Sequence, residues 1–121
     1  MKYLRLYADQ NGESHAEEIE ATFEMQQYAP PAPEFGISTP TDAARYVFVN
    51  FPANWTSELH PSPRRQLLVM ISGQLKGGTS DGNTLILNSG DVLLMEDTTG
   101  KGHTAETLGN DPVHAIMIHL E

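Results

Sequence analysis

The stretch WTSELHPSPRRQLLVMISG, residues 55–73, combines a histidine with a strand-forming run. Residues 66–72 (QLLVMIS) form an apolar run of strand length that ends at Gly73. His60 lies six residues before Gln66, so the spacing predicts a polar side chain close to the start of a strand. What His60 does depends on the side chains that other strands bring next to it.

Runs of the same kind lie on both sides of this stretch, and turn residues separate them. Asp81-Gly82 is a tight-turn pair that predicts a hairpin over residues 74–88. Residues 18–25 alternate acidic and apolar side chains, which predicts a strand with one solvated face. Only residues 41–44 suggest a helix, so the sequence predicts an all-β sandwich or small barrel. The other predicted strands are 3–7, 45–51, 84–88, 91–96, 103–108 and 113–120.

The chain length predicts a single domain that spans residues 1–121. The segment 28–40 carries four of the eight prolines, which indicates an extended loop over the surface. We therefore expect N-terminal strands and a Pro-rich loop over residues 1–44, followed by the barrel core over residues 45–121.

The composition restricts the partners and the location of the protein. Its 16 acidic and 7 basic residues give a formal charge of −9, which opposes binding to nucleic acid or to an anionic membrane. There is no cysteine, so any metal ligands must be histidine, carboxylate or amide groups. No apolar run has the length of a membrane span, and the first residues do not resemble a signal peptide. We expect a cytoplasmic protein.

Residues 60–73 resemble the first motif of the cupin superfamily, which contains His-x-His, then a glutamate, and then a glycine that six residues separate from the glutamate. In this chain His60-Pro61-Ser62 stands at His-x-His, Gln66 stands at the glutamate and Gly73 stands at the glycine. The pattern His-x-x-Pro-x-x-Gln over residues 60–66 is also similar to that of small bacterial cupins of undefined function.

A second motif of the superfamily has a partial match further along the chain. Gly90 stands at its opening glycine, and Gly100-Lys101-Gly102-His103 matches its Gly-x-x-His portion. Thr107 stands where the family has asparagine, and the segment between Gly90 and His103 is two residues longer than usual. The resemblance spans residues 55–107 and implies an RmlC-like cupin fold, a double-stranded β-helix or jelly-roll barrel.

The resemblance also implies where a metal would bind. In metal-dependent cupins, two histidines and a glutamate of the first motif and a histidine of the second are the ligands. Here they correspond to His60, Ser62, Gln66 and His103, and serine and glutamine are weaker ligands than the groups they replace. The implied site is therefore either a weak one for iron, manganese, nickel or zinc on His60, Gln66 and His103, or metal-free. Glu58, Glu96 and Asp97 are candidates for the missing carboxylate, and a solvated acidic turn is the simpler interpretation of the last two.

The same resemblance places a pocket at the barrel mouth, with His60 and His103 as the catalytic candidates. Gln66 can both donate and accept hydrogen bonds to a ligand. Arg64 and Arg65 are adjacent, so on a strand they point in opposite directions and one of them could reach an anionic substrate. The candidate ligand-binding residues are Gln66, Arg64, Ser62 and Tyr46.

Several other residues have simpler structural interpretations. His119 and His114 alternate on the last predicted strand, and either could face the barrel, although a hydrogen-bonded or exposed histidine is the simpler interpretation. Tyr46, Phe48 and Trp55 could form pocket wall or core, and the sequence favours core.

Three functions remain open at this point. The first is a weakly metal-dependent enzyme that acts on a small molecule, as an isomerase, lyase or dioxygenase. The second is a metal-free ligand-binding or sensor protein, and the third is a metal-free, epimerase-like enzyme in which a histidine is the general base. We also expect a homodimer, with the first or the acidic second strand near the contact.

Overall fold

A computed structural model describes all 121 residues of the chain as an all-β protein. It contains no helix long and apolar enough to cross a membrane. Its strands are β1 (Lys2–Ala8), β2 (Ser14–Glu20), β3 (Glu24–Gln26), β4 (Phe35–Ile37), β5 (Arg45–Phe51), β6 (Gln66–Ser72), β7 (Gln74–Thr79), β8 (Thr84–Leu87), β9 (Val92–Met95), β10 (His103–Leu108) and β11 (Val113–His119).

Two sheets form the body of the molecule. The larger has the strand order β2-β1-β9-β6-β11-β5, and the smaller has the order β10-β7-β8. The strand pairings in both sheets are antiparallel except that of β1 with β9, which is parallel. Leucines from both sheets share one buried core; Leu6, Leu68 and Leu93 come from the larger sheet, and Leu75 and Leu87 from the smaller. The predicted all-β class is confirmed.

The strands that carry the site were predicted closely. The predictions for β5, β6 and β10 match the observed bounds, because a clear alternation of side chains ends in each case at proline or glycine. The predicted hairpin over residues 74–88 is present as β7 and β8, with Gly82 at φ +93° in the turn.

Two sequence predictions for residues 18–44 were wrong. The strand predicted over residues 18–25 is divided, because β2 ends at Glu20 and β3 begins at Glu24. The alternation of acidic and apolar side chains continues through residues 21–23, but no neighbouring strand pairs with them there. The helix suggested at residues 41–44 is also absent.

Strands β3 and β4 form a separate two-stranded sheet, which we call the arm (residues 21–40). Its large apolar side chains remain exposed, as do the outward-facing aromatic residues of the edge strand β5. By contrast, β1 lies between β2 and β9, so both of its edges are already paired. The exposed apolar residues of the arm are Phe23, Met25, Tyr28 and Phe35, and those of β5 include Tyr46 and Phe48.

Candidate functional site

The space between the two sheets contains a cavity of about 310 Å³. Its inner walls are apolar, because alternate residues of β1, β6, β7, β8 and β9 all point into the space between the sheets. A small number of polar side chains in a mostly apolar cavity is typical of a site for a small organic ligand. The polar lining residues include His60, Ser62, Arg64, Gln66, His103 and His119.

His60 and His103 lie side by side because the backbone pairs them directly. The N–H of His60 donates to the carbonyl of His103 over 3.0 Å, and the N–H of His103 donates back over 2.9 Å. Since directly opposite residues of such a pair project to the same side, the two imidazole rings meet with their centroids 4.6 Å apart. The structure thus brings together the two predicted catalytic candidates.

Gly102 makes this close approach possible. A Cβ at this position would lie 2.0 Å from the carbonyl oxygen of His60, and the φ angle of +74° is one that favours glycine. The turn that precedes β10 therefore positions His103 beside His60.

Asp97 is the residue that connects the two motifs. It follows β9, where Met95 points inward and Glu96 outward, so the alternation turns Asp97 inward. Its carboxylate is fully buried; it accepts a hydrogen bond from Ser62 Oγ at 2.7 Å, and its other oxygen lies 2.6 Å from His103 Nδ1. The simpler interpretation of residues 96–97 as a solvated turn was wrong, since Asp97 is fully buried and the Glu96 side chain is only 21% exposed.

These contacts determine which nitrogen of each ring carries a proton. Because a carboxylate only accepts hydrogen bonds, His103 donates from Nδ1 to Asp97, and its Nε2 has no partner in the protein. His60 Nδ1 lies 2.8 Å from the carbonyl oxygen of Glu58, so the same argument makes Nδ1 the donor there. Each ring therefore has Nε2 free to accept a proton or a hydrogen bond.

Glu96 has a different role on the outer side of the same segment. Its two carboxylate oxygens each lie 2.5 Å from an arginine Nε, that of Arg5 on one side and that of Arg65 on the other. Burial acts to raise the pKa of Glu96, but the hydrogen bonds from both arginines outweigh it and hold this pKa below its ordinary value. Through these two contacts Glu96 connects β1 to the segment before β6, and its carboxylate does not face His60 or His103.

The four predicted ligand-binding residues occupy different positions relative to the cavity. Gln66 is buried in the cavity wall, with its amide nitrogen 3.9 Å from the sulfur of Met95, and Arg64 lines the opening. Ser62 also lines the cavity, but its hydroxyl is engaged by Asp97. Tyr46 is 66% exposed on the outer face of β5 and is not among the residues that line the cavity.

Three residues have roles that differ from the simpler interpretations of the sequence. Trp55 forms cavity wall with Phe51, their ring centroids being 4.9 Å apart, whereas the sequence favoured core. Phe48, for which core was also favoured, is 75% exposed. His119 lines the cavity, as the inward alternation of Val113, Ala115 and Met117 on β11 would have indicated.

The donor set does not fit a tightly bound divalent metal. No three histidine, aspartate or glutamate side chains come together as a group that could hold an ion. Of the positions that correspond to cupin ligands, only His60 and His103 offer good donors, while Ser62 is bonded to Asp97 and Gln66 is a neutral amide. Glu58, the remaining acidic candidate, contributes only its backbone carbonyl to His60.

Solved structures with the same fold include two cupin domains. A cupin 2 conserved barrel domain protein from Salinispora arenicola CNS-205 is 15% identical, with a TM-score of 0.53 over 82% of this chain and 76% of that one. The Schizosaccharomyces pombe Cnp3 cupin domain is 13% identical, with a TM-score of 0.50 over 98% of this chain and 86% of that one.

No protein-family model matches the sequence, and no curated protein matches it. The structural likeness therefore shows the fold alone: this chain has the cupin-type β-barrel fold. Because that fold carries many unrelated chemistries, the function has to be argued from the cavity and its residues.

Proposed function

We propose that the protein binds a small organic molecule in the cavity between its sheets, and that His103 exchanges a proton with that molecule. The observation that carries the proposal is the buried Asp97 carboxylate, which is hydrogen-bonded to His103 Nδ1 beside a mostly apolar cavity. A histidine oriented by a buried carboxylate is the arrangement expected of a general base.

The contacts of each residue indicate its part in such a reaction. Asp97 keeps the proton of His103 on Nδ1 and compensates the positive charge that forms when Nε2 accepts a second proton. Ser62 holds the other oxygen of Asp97, so the carboxylate cannot rotate away from the ring. His60 Nε2 is a second proton acceptor at the same opening, beside His103.

The reaction class that fits these residues is proton abstraction from carbon next to a carbonyl group, as in isomerases and lyases. It requires a base, a dry cavity and a hydrogen-bond donor for the carbonyl oxygen, and the Gln66 amide is a candidate for that donor. This proposal corresponds to the metal-free enzyme among the functions considered from the sequence. A metal-dependent reaction has less support, because only two good ligands are present.

The direct test is solvent exchange of carbon-bound hydrogen, followed by NMR in D₂O. The probes are 2-heptanone, phenylacetone and phenylpyruvate, each of which has hydrogen next to a carbonyl group. We expect the wild-type protein to accelerate exchange of at least one probe and His103→Asn to abolish the effect. Asparagine can keep the hydrogen bond to Asp97 but has no group in place of Nε2.

A matched control distinguishes loss of the base from loss of a histidine in general. His114→Asn changes an exposed histidine on the outer face of β11 and should leave the exchange rate unchanged. Probes that bind the wild-type protein without faster exchange would contradict the catalytic role, and would indicate the ligand-binding function instead.

We also propose that the chain forms a homodimer through the arm and β5. Support comes from the apolar side chains that both expose, since a two-stranded sheet alone is of marginal stability in water. The cytoplasmic location stays a prediction from the sequence.

A further inference from the structure

Most of the lysine and arginine side chains of this acidic protein are paired with carboxylates, but two are not. Five of the seven lysines and arginines form ion pairs with carboxylates. The two that form none are Arg64, at the opening of the cavity, and Arg45, at the start of β5. In a chain with 16 acidic residues, two neighbouring unpaired arginines leave a local excess of positive charge.

His119 lies between these arginines and the cavity. On β11, His119 lies opposite Arg45 of β5 and opposite Gln66 of β6. It lines the cavity together with Arg64. Its Nδ1 is the one buried side-chain nitrogen or oxygen atom of the protein without a hydrogen-bond partner. Buried polar atoms are normally paired, so the unpaired His119 Nδ1 is an unusual feature of this end of the cavity wall.

We propose that the cavity takes a ligand with an apolar body and a carboxylate group, and that Arg64 binds the carboxylate beside His119. This inference rests on the proposed function and adds the chemical class of the ligand. The apolar body would lie among the leucines of the two sheets, with the carboxylate at the opening beside Arg64.

The electrostatic setting of His119 agrees with an anionic ligand. Burial lowers the pKa of His119 from its ordinary value, and the charges of Arg64 and Arg45 lower it further. No carboxylate of the protein counters this effect, whereas Asp9 and Asp81 raise the pKa of His15. A bound carboxylate would supply the negative charge that this end of the cavity lacks.

A carboxylate fits the donors better than a phosphate does. The planar guanidinium of Arg64 matches a planar carboxylate with two parallel hydrogen bonds. A phosphate group would bring more charge and more acceptor atoms than one arginine satisfies. The mostly apolar lining also favours a ligand with only one ionised group.

The test compares ligands that differ only in charge. We would measure dissociation constants by calorimetry for octanoate, hydrocinnamate and cinnamate, and for their primary amides, with wild-type protein and two variants. Arg64→Gln removes the proposed anion contact, and Arg65→Gln is the matched control because its side chain pairs with Glu96 outside the cavity. Both variants change the net charge equally.

The expected result is a preference for carboxylates that depends on Arg64. Since hydrogen bonds between two charged groups are stronger than those to a neutral group, each carboxylate should bind roughly tenfold or more tightly than its amide. Arg64→Gln should abolish this preference, while Arg65→Gln should retain it.

Two results would contradict the proposals separately. If the amides bind as tightly as the carboxylates and Arg64→Gln changes neither, the anion inference is wrong while the ligand-binding cavity stands. If neither set of compounds binds, the proposed function is itself overturned.

Discussion

At the scale of single residues, the Asp97 carboxylate accepts hydrogen bonds from Ser62 and His103 while none of its surface reaches solvent. Replacing one buried partner leaves the others unpaired, so Asp97→Asn should lower the free energy of unfolding. Hydrogen bonds to charged groups contribute about 1.5–3 kcal/mol, and we expect a loss of about 2–3 kcal/mol in urea unfolding.

The matched control for Asp97→Asn is Glu96→Gln, which makes the same chemical change one residue earlier. Glu96 pairs with Arg5 and Arg65 at a partly exposed position, and ion pairs of that kind contribute below about 1 kcal/mol. Equal losses for the two variants would contradict the assignment of Asp97 as the buried support of His103.

Metal content is the second prediction at this scale. Because His60 and His103 are the only good donors, purified protein should contain far less than one equivalent of iron, manganese, nickel or zinc by elemental analysis. One equivalent that is lost in both His60→Ala and His103→Ala would show that the predicted metal set of His60, Gln66 and His103 does bind an ion.

The residue scale also shows how far the site could be predicted. The resemblance to the two cupin motifs implied that His60 and His103 share a pocket, whereas the periodicity of the strands alone did not show that they meet. The role of Asp97 was missed, since the acidic and Gly-rich composition of the segment after β9 is typical of a solvated turn. Tyr46 was placed in the pocket, although it points away from the sheet face that lines the cavity.

At the scale of elements, the pair of backbone hydrogen bonds between His60 and His103 requires Gly102. A methyl group there would lie 2.0 Å from the His60 carbonyl oxygen, and Gly102→Ala should push the two segments apart. We expect loss of ligand binding and a decrease in unfolding free energy of about 3 kcal/mol or more, measured by urea unfolding and calorimetry.

Gly109→Ala is the control that separates the effect of the left-handed backbone conformation from the effect of the close contact with His60. Its φ angle of +73° is nearly the same, but no atom lies within 4 Å of the added methyl group. It should cost only about 1–2 kcal/mol, the penalty for a left-handed alanine, and should leave ligand binding unchanged. If the two variants behave alike, the contact with His60 is not what demands glycine at residue 102.

His15 connects the turn between β1 and β2 with the turn between β7 and β8. Its ring nitrogens lie 2.7 Å from Asp9 and 2.9 Å from Asp81, and these contacts raise the pKa of His15. A raised pKa in the folded state means that the stabilisation is complete below the ordinary pKa of histidine. It is lost as the pH rises through the folded-state pKa.

The resulting prediction concerns the melting temperature as a function of pH. The melting temperature of the wild-type protein should exceed that of His15→Gln by more at about pH 6 than at about pH 9, because the stabilisation is lost as the pH rises. His114→Gln, an exposed histidine that faces no carboxylate, should show no such trend. A constant difference across this range would contradict a charged link between the two turns.

Strand prediction succeeded where a strand has one buried face and failed where it has none. The alternation of β6 reflects a real inside and outside, since Gln66, Leu68 and Met70 are buried and the residues between them are not. Residues 21–25 alternate equally clearly, but neither set of side chains is buried. Alternation alone therefore did not reveal that β2 had ended.

At the scale of the whole molecule, the arm and β5 are the parts that a single chain leaves unburied. Tyr46 and Phe48 lie on the outer face of β5. On the neighbouring strand β11 they lie opposite Ile118 and Ile116, respectively. The sequence predicted a contact near the first or the acidic second strand. Both edges of β1 are occupied, and β5 is an edge strand with exposed apolar side chains, so we place the contact at β5. Apolar side chains on the arm could cover this face in a second copy.

We expect sedimentation equilibrium at micromolar concentration to give twice the mass of the chain. Phe48→Glu should shift the protein to monomer, because a stable interface buries about 800 Å² on each partner and does not tolerate an unpaired charge at its centre. Ile86→Glu makes the same change at an exposed position on β8 of the other sheet and should leave the dimer intact. A wild-type monomer, or dissociation by Ile86→Glu but not by Phe48→Glu, would contradict the placement of the interface on β5.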